Sequence, residues 1–189
     1  MSVAEIKFGY EIYYMVSLHD ITETANLRER LTTASPIDDL TGLYSKQGLL
    51  TLGDYNLKMA DRMKKGMIFL MVDLDNLDRI REIKGQDEAN NALIETADIL
   101  RETFRQSDIV CRISDNKFVA IAIGASKGTE NIIIGRLQKN IKLFDAKGRR
   151  QYKLLLNSVI IYYDPNNPCT VDELLNRADI MLIGRKKEG

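Results

Sequence analysis

The sequence predicts an α/β domain of the α+β type, with a mixed central sheet and flanking helices on one face. Three stretches carry that prediction. Met67 to Val72 is a continuous apolar run, the pattern of a strand buried on both faces. Between Gln86 and Phe104 the residues Ala89, Leu93, Ala97 and Leu100 recur at helical spacing, which predicts an amphipathic helix. Ile109 to Ile113 and Phe118 to Ile123 are short β-rich runs separated by Ser114-Asp115-Asn116-Lys117, residue types that suit a tight reversal and so predict a hairpin.

The remaining elements follow in chain order. Lys7 to Leu18, rich in Tyr, Ile and Val, reads as a strand, and Asp20 or Thr22 can cap a helix from about Glu23 to Thr33. A lone strand cannot bury both faces, so residues 1–21 are expected to be a remnant strand of an upstream domain and residues 22–35 a linker helix. The main domain is expected over residues 36–189. Pro36 stops the linker, and Asp38-Asp39-Leu40-Thr41-Gly42-Leu43 turns the chain into a helix starting near Ser45 and ending at Gly66. After the hairpin come a helix from about Thr129 to Phe144, a turn at Lys147-Gly148, a strand from Tyr152 to Tyr163 and a helix from Val171 to Arg185. The resulting β-α-β-β-α-β order is that of a ferredoxin-like, palm-type core.

Composition narrows the function. Twenty-seven basic residues balance 27 acidic ones, so no net field draws in nucleic acid or an anionic membrane. At 44% hydrophobic and 29% charged residues, with no apolar run able to span a bilayer and no signal-like N-terminus, the chain reads as a folded cytoplasmic domain. Cys111 and Cys169 lack the spacing of a zinc site or redox pair and are expected as reduced thiols. The single histidine, His19, lies outside the main domain, leaving chemistry there to carboxylates, lysines or metals.

Three motifs at matching separations resemble the GGDEF (diguanylate cyclase) domain family: the Asp38-to-Leu43 turn, the Asp73-Leu74-Asp75 strand end and the Ser114-to-Phe118 hairpin. Arg177-Ala178-Asp179 and Lys186 look like the family's closing segment, and the N-terminal strand with Asp20-Ile21-Thr22-Glu23 is similar to the end of a PAS sensor domain. The resemblance implies bacterial cyclic di-GMP signalling, other signalling domains in the same chain, and a homodimer formed through the linker helix. Active members join two GTP molecules using metal ions held by carboxylates. By that resemblance Asp73 and the carbonyl of Leu74 are a remnant of the metal site. On their own, Asp73 and Asp75 also read as residues that cap the turn leaving the strand.

The residues that would complete the chemistry are replaced. Ser114-Asp115-Asn116-Lys117-Phe118 stands where the family carries its two glycines and two acids, so side chains obstruct the nucleotide and a neutral amide takes the place of a metal-binding carboxylate. Lys117 inverts a charge, and Asp78 stands where a phosphate-facing lysine is usual. Arg81 and Asn90 replace the Asn and Asp that read guanine, so Arg81, Asn90, Ser114, Asp115 and Lys186 form only a remnant nucleotide site. No catalytic residue and no cofactor is expected, with Mg²⁺ required only if the remnant GTP site works.

Arg105-Gln106-Ser107-Asp108 matches the family's inhibitory R-x-x-D pattern at the correct offset, and that resemblance implies a cyclic di-GMP site on Arg105 and Asp108. The same two residues are also ordinary at a helix C-terminus and in the turn that follows. Three readings stand: a catalytically inactive cyclic di-GMP receptor, a nucleotide-free dimerisation or protein-interaction domain, and a residual cyclase or altered GTP-binding domain.

Overall fold

The computed structural model describes residues 2–8, 11–17, 35–146, 150 and 152–188, with side chains described for 35–146, 150 and 152–185. The chain divides into two compact units, Met1–Ala34 and Ser35–Gly189. In the first, β1 (Ser2–Phe8) pairs antiparallel with β2 (Glu11–Ser17), Ser2 facing Ser17 and Phe8 facing Glu11. The single strand expected over Lys7–Leu18 is therefore the second arm of a hairpin. Only two residues separate the arms. The expected linker helix from Glu23 to Thr33 and the Lys147-Gly148 turn lie outside the described residues.

The second unit runs α1 (Lys46–Met63), β3 (Met67–Leu74), α2 (Leu77–Lys84), α3 (Gln86–Thr103), β4 (Ile109–Arg112), β5 (Lys117–Ile123), α4 (Glu130–Ala146), β6 (Leu156–Tyr163) and α5 (Val171–Glu188). Its sheet has the order β4-β5-β3-β6. Every pairing in it is antiparallel, so the sheet is not mixed as expected. The β-α-β-β-α-β order and the class stand.

The central strand β3 is buried along its whole length and sorts its side chains between two cores. Ile68, Leu70, Val72 and Leu74 pack against α2, α3 and α4 through residues such as Ile80, Leu93 and Leu137. Met67, Phe69 and Met71 pack against α1 and α5 through Leu57, Leu174 and Leu182. Helices thus cover both faces rather than one, because alternation along a doubly buried strand sends apolar side chains both ways.

Local chemistry sets the element ends. The Ser45 hydroxyl accepts from the Gly48 amide (3.3 Å) and caps α1. That helix stops at Met63, with Lys64 left-handed at φ 54°, before the Gly66 expected to end it. A Cβ on Gly66 would meet the outer end of the Tyr162 side chain, which would have to shift. Helix α2 has no counterpart in the sequence prediction. It buries only Leu77 and Ile80 and ends at Gly85, whose φ of 93° lets the chain turn into α3. Strand β6 starts at Leu156 rather than Tyr152, since the preceding segment bonds to the turn after β3: the Asn76 side chain donates to the Lys153 carbonyl (2.8 Å) and accepts from the Leu155 amide (3.0 Å).

Both cysteines are free thiols. Burial pushes Cys111 up from 9.0 to about 12. The folded chain then holds a proton that the unfolded chain has lost, so this contribution to stability is full below pH 9 and vanishes as pH climbs towards 12. Urea unfolding of wild type and Cys111→Ala should show a gap in favour of wild type at neutral pH that narrows on raising the pH. A thiol reagent applied to the native protein should modify Cys169 before Cys111, read by peptide mass.

Candidate functional site

One group of polar side chains gathers where β3 ends. Asp73 is 3% exposed, and the β5 register sets it opposite Lys117, the first residue after the hairpin turn. The Leu74 amide donates to the Asn116 carbonyl (2.9 Å), which docks the turn on the strand end. From there the Asn116 side-chain nitrogen donates to the Asp73 carboxylate (2.6 Å) and lies 3.4 Å from the Leu74 carbonyl oxygen. Both facing groups are acceptors, so the carboxamide must present its NH₂.

These are the two oxygens that the resemblance assigns to a metal ion. The donor set does not suit one. An NH₂ group stands between them, and the alternative amide rotamer would supply one neutral oxygen where Mg²⁺ is held by carboxylates. Among the described residues no cluster of three or more His, Cys, Asp or Glu side chains could hold a metal.

The positions expected to meet nucleotide are engaged with each other. Arg81 on α2 donates to Asp78 (2.6 Å) and to Asp115 of the hairpin (2.8 Å). The hydrogen bond and charge of Asp115, followed by the charge of Asp78, raise the Arg81 pKa above its ordinary value. The Lys117 ammonium pairs with Asp179 on α5 at 2.5 Å. The Asn90 side-chain oxygen accepts from Gln86 on its own helix (2.9 Å) rather than joining Arg81. Ser114 is exposed at the hairpin tip, and the side chain of Lys186 lies outside those described.

Sequence reasoning missed Arg112. Its guanidinium pairs with Asp38 (3.2 Å) and donates to the Asp115 backbone carbonyl (2.9 Å), joining the opening turn to the hairpin. Asp38 in turn accepts from the Thr41 amide (2.9 Å) and hydroxyl (2.6 Å), while its carbonyl accepts from the amide of Gly42, which sits at φ 65°. The turn that marks the motif is therefore a clasp around one carboxylate. An arginine inside an otherwise apolar β-run was the available signal.

Arg105 and Asp108 lie at the other end of the sheet, between the end of α3 and β4. Asp108 accepts from the Arg105 amide (2.9 Å) and, across the sheet, from the Ile123 amide (3.2 Å). The Arg105 side chain is exposed and makes no hydrogen bond or ion pair among the described residues. Two recesses meet there. One of about 230 Å³ is lined by Arg105, Asp108, Gly124, Ser126 and Arg136. The other, of about 410 Å³, is lined by Arg105, Asp108, Tyr44, Arg101 and Gln106.

Comparison with known proteins agrees with the fold and the motifs. The profile of the family described as "Diguanylate cyclase, GGDEF domain" matches residues 35–189. The cyclic di-GMP phosphodiesterase PdeR of Escherichia coli is 25% identical over 133 residues, covering 70% of this chain and 20% of PdeR. The probable diguanylate cyclase DgcC of the same species is 23% identical over 178 residues, covering 94% of this chain and 48% of DgcC. The chain thus spans about half the length of DgcC and a smaller part of PdeR. Among solved structures, the coiled coil and GGDEF domain of DgcB from Caulobacter crescentus, in complex with c-di-GMP, superposes with a TM-score of 0.69 at 16% identity, covering 89% of this chain and 91% of that one.

The Arg112 bridge makes a stability prediction. Arg112→Ala leaves the half-buried Asp38 carboxylate without its cation and should cost roughly 2 kcal/mol in urea unfolding. Arg112→Lys should recover little of it, because one ammonium cannot reproduce the fork that reaches both acceptors.

Proposed function

Because the chain belongs to the GGDEF domain family, we propose that it is a catalytically inactive signalling domain of that family, and that it receives cyclic di-GMP at Arg105. The observation that carries the first half is the mutual engagement of the former nucleotide positions. Arg81 is paired with Asp78 and Asp115, and Lys117 with Asp179. GTP would have to break these pairs to reach its old contacts, and it would meet the added negative charge of Asp115 beside its phosphates. Catalysis by two metals draws on charge stabilisation that these residues no longer supply.

The second half is supported by the free guanidinium of Arg105 on the shared rim of two recesses. Its planar fork can bind a phosphate or the acceptor edge of guanine bidentately. Asp108 uses its carboxylate to fix two backbone amides, and a carboxylate with about four acceptor positions retains capacity for the guanine N1–H and N2–H₂ edge. The cyclic di-GMP bound to the related DgcB domain lends this reading further support. A second reading, a nucleotide-free interaction domain, is favoured by the outward-facing Ile180 and Ile183 of α5, 72% and 56% exposed.

Calorimetric titration with cyclic di-GMP, and separately with GTP and Mg²⁺, tests the proposal. We expect cyclic di-GMP to bind and Arg105→Ala to weaken it by about tenfold or more. Arg105 is the residue to change, since Asp108→Ala would also release the backbone and confuse affinity with folding. Silence with both ligands would favour the interaction domain, and GTP binding alone an altered nucleotide site. Incubation with GTP and Mg²⁺ should yield no cyclic di-GMP.

A further inference from the structure

A recess beside α2 carries an inference that is independent of any nucleotide. We propose that the recess between α2 and the segment leading into β6 is a docking site for an acidic segment of a partner protein, one in which acids flank an apolar residue.

The recess has a volume of about 370 Å³, and Arg79, Lys84 and Lys153 are among its lining residues. No carboxylate lines it among the described residues. In a chain whose 27 basic residues balance 27 acidic ones, three cations around one recess are a local excess that favours an anion. Arg79 and Lys153 are exposed, and their side chains make no hydrogen bond or ion pair among the described residues. An arriving carboxylate breaks no described pair to reach them, in contrast to the engaged Arg81 and Lys117 beside the hairpin.

The rest of the lining calls for an apolar contact. Ile83 is 62% exposed and Leu155 53%, and both line this recess together with Ile80. Large apolar side chains left open side by side lose their contact with water when a partner covers them. The neutral polar groups are engaged within the fold: the Asn76 carboxamide bonds the Lys153 carbonyl and the Leu155 amide, and the Tyr152 hydroxyl donates to the Glu88 carbonyl (3.1 Å). A sugar or a nucleobase, which needs several donors and acceptors, finds little here, whereas an apolar group between acids matches what remains.

The wall is also set in advance. The Asn76 bonds hold it, and the Asp75 amide donates to the Leu155 carbonyl (2.9 Å), so docking has little backbone to order. The cations come from both walls, Arg79 and Lys84 from α2 and Lys153 from the segment before β6. A single acid head meets one wall. Acidic residues on either side of one apolar residue, about 6.8 Å apart in an extended chain, can meet both.

Titration of the isotope-labelled chain with the peptide acetyl-Glu-Leu-Glu-Leu-Glu-amide, followed through its amide resonances, tests the proposal. The amides of residues 77–84 and 153–156 should shift and saturate with a Kd of about 1 mM or tighter, and the matching Gln-Leu-Gln-Leu-Gln peptide should leave them in place. Arg79→Glu and Lys153→Glu should each weaken the peptide by about tenfold, as should about 0.5 M NaCl. Arg79→Gln and Lys153→Gln serve in their place if a charge reversal fails to fold. No shift at about 10 mM peptide, equal shifts with the Gln peptide, or variants that bind like wild type overturn the proposal. Tighter binding of decanoate than of the peptide would assign the recess to a single-headed acid. Pelleting with vesicles of phosphatidylcholine and phosphatidylglycerol that Arg79→Glu abolishes would assign it to a membrane surface. Either result overturns the proposal as well.

Discussion

Strand β3 imposes the constraint on which the rest of the domain depends. It is covered on both faces, so every side chain from Met67 to Val72 must be apolar, and the first polar group it can offer is Asp73 at its end. Polar chemistry on this strand has only that exit. The hairpin between β4 and β5, the start of α2 and the middle of α5 all reach the same end of the strand. The positions of Asn116, Arg81, Lys117 and Asp179 follow from sheet order and register.

At that exit Arg81, Lys117 and Arg112 each reach a carboxylate on another element. Arg81 links α2 to the hairpin, Lys117 links the hairpin to α5, and Arg112 links it to the opening turn. Exposed pairs such as Arg81 with Asp115 contribute little stability, whereas Arg112, only 12% exposed at its side chain, contributes more. Their larger effect is on selectivity. A site whose cations already have carboxylate partners gives an incoming phosphate little to gain and two ion pairs to break.

Much of the fold was legible in the sequence because burial leaves periodic marks. The unbroken apolar run from Met67 and the spacing of Ala89, Leu93, Ala97 and Leu100 name their elements directly. Helix α2 escaped because its eight residues are shorter than the window over which a helical period is read, although Leu77 and Ile80 are placed on one face. Strand β6 was read four residues too long because Tyr152 and Leu154 are apolar for another reason, their packing into the core that α2, α3 and α4 cover. At the site, residue identities were legible and partnerships were not. That Asn116 lacks a carboxylate can be read from a letter, but that its amide fills the gap between Asp73 and Leu74 is a fact of register.

The Arg112 bridge makes two distant turns depend on one side chain. It holds the Asp38 clasp, where the domain begins, and the hairpin carbonyl at Asp115 in one grip. One guanidinium therefore ties the opening turn and the hairpin, so a change of position at either one alters the geometry available to the other.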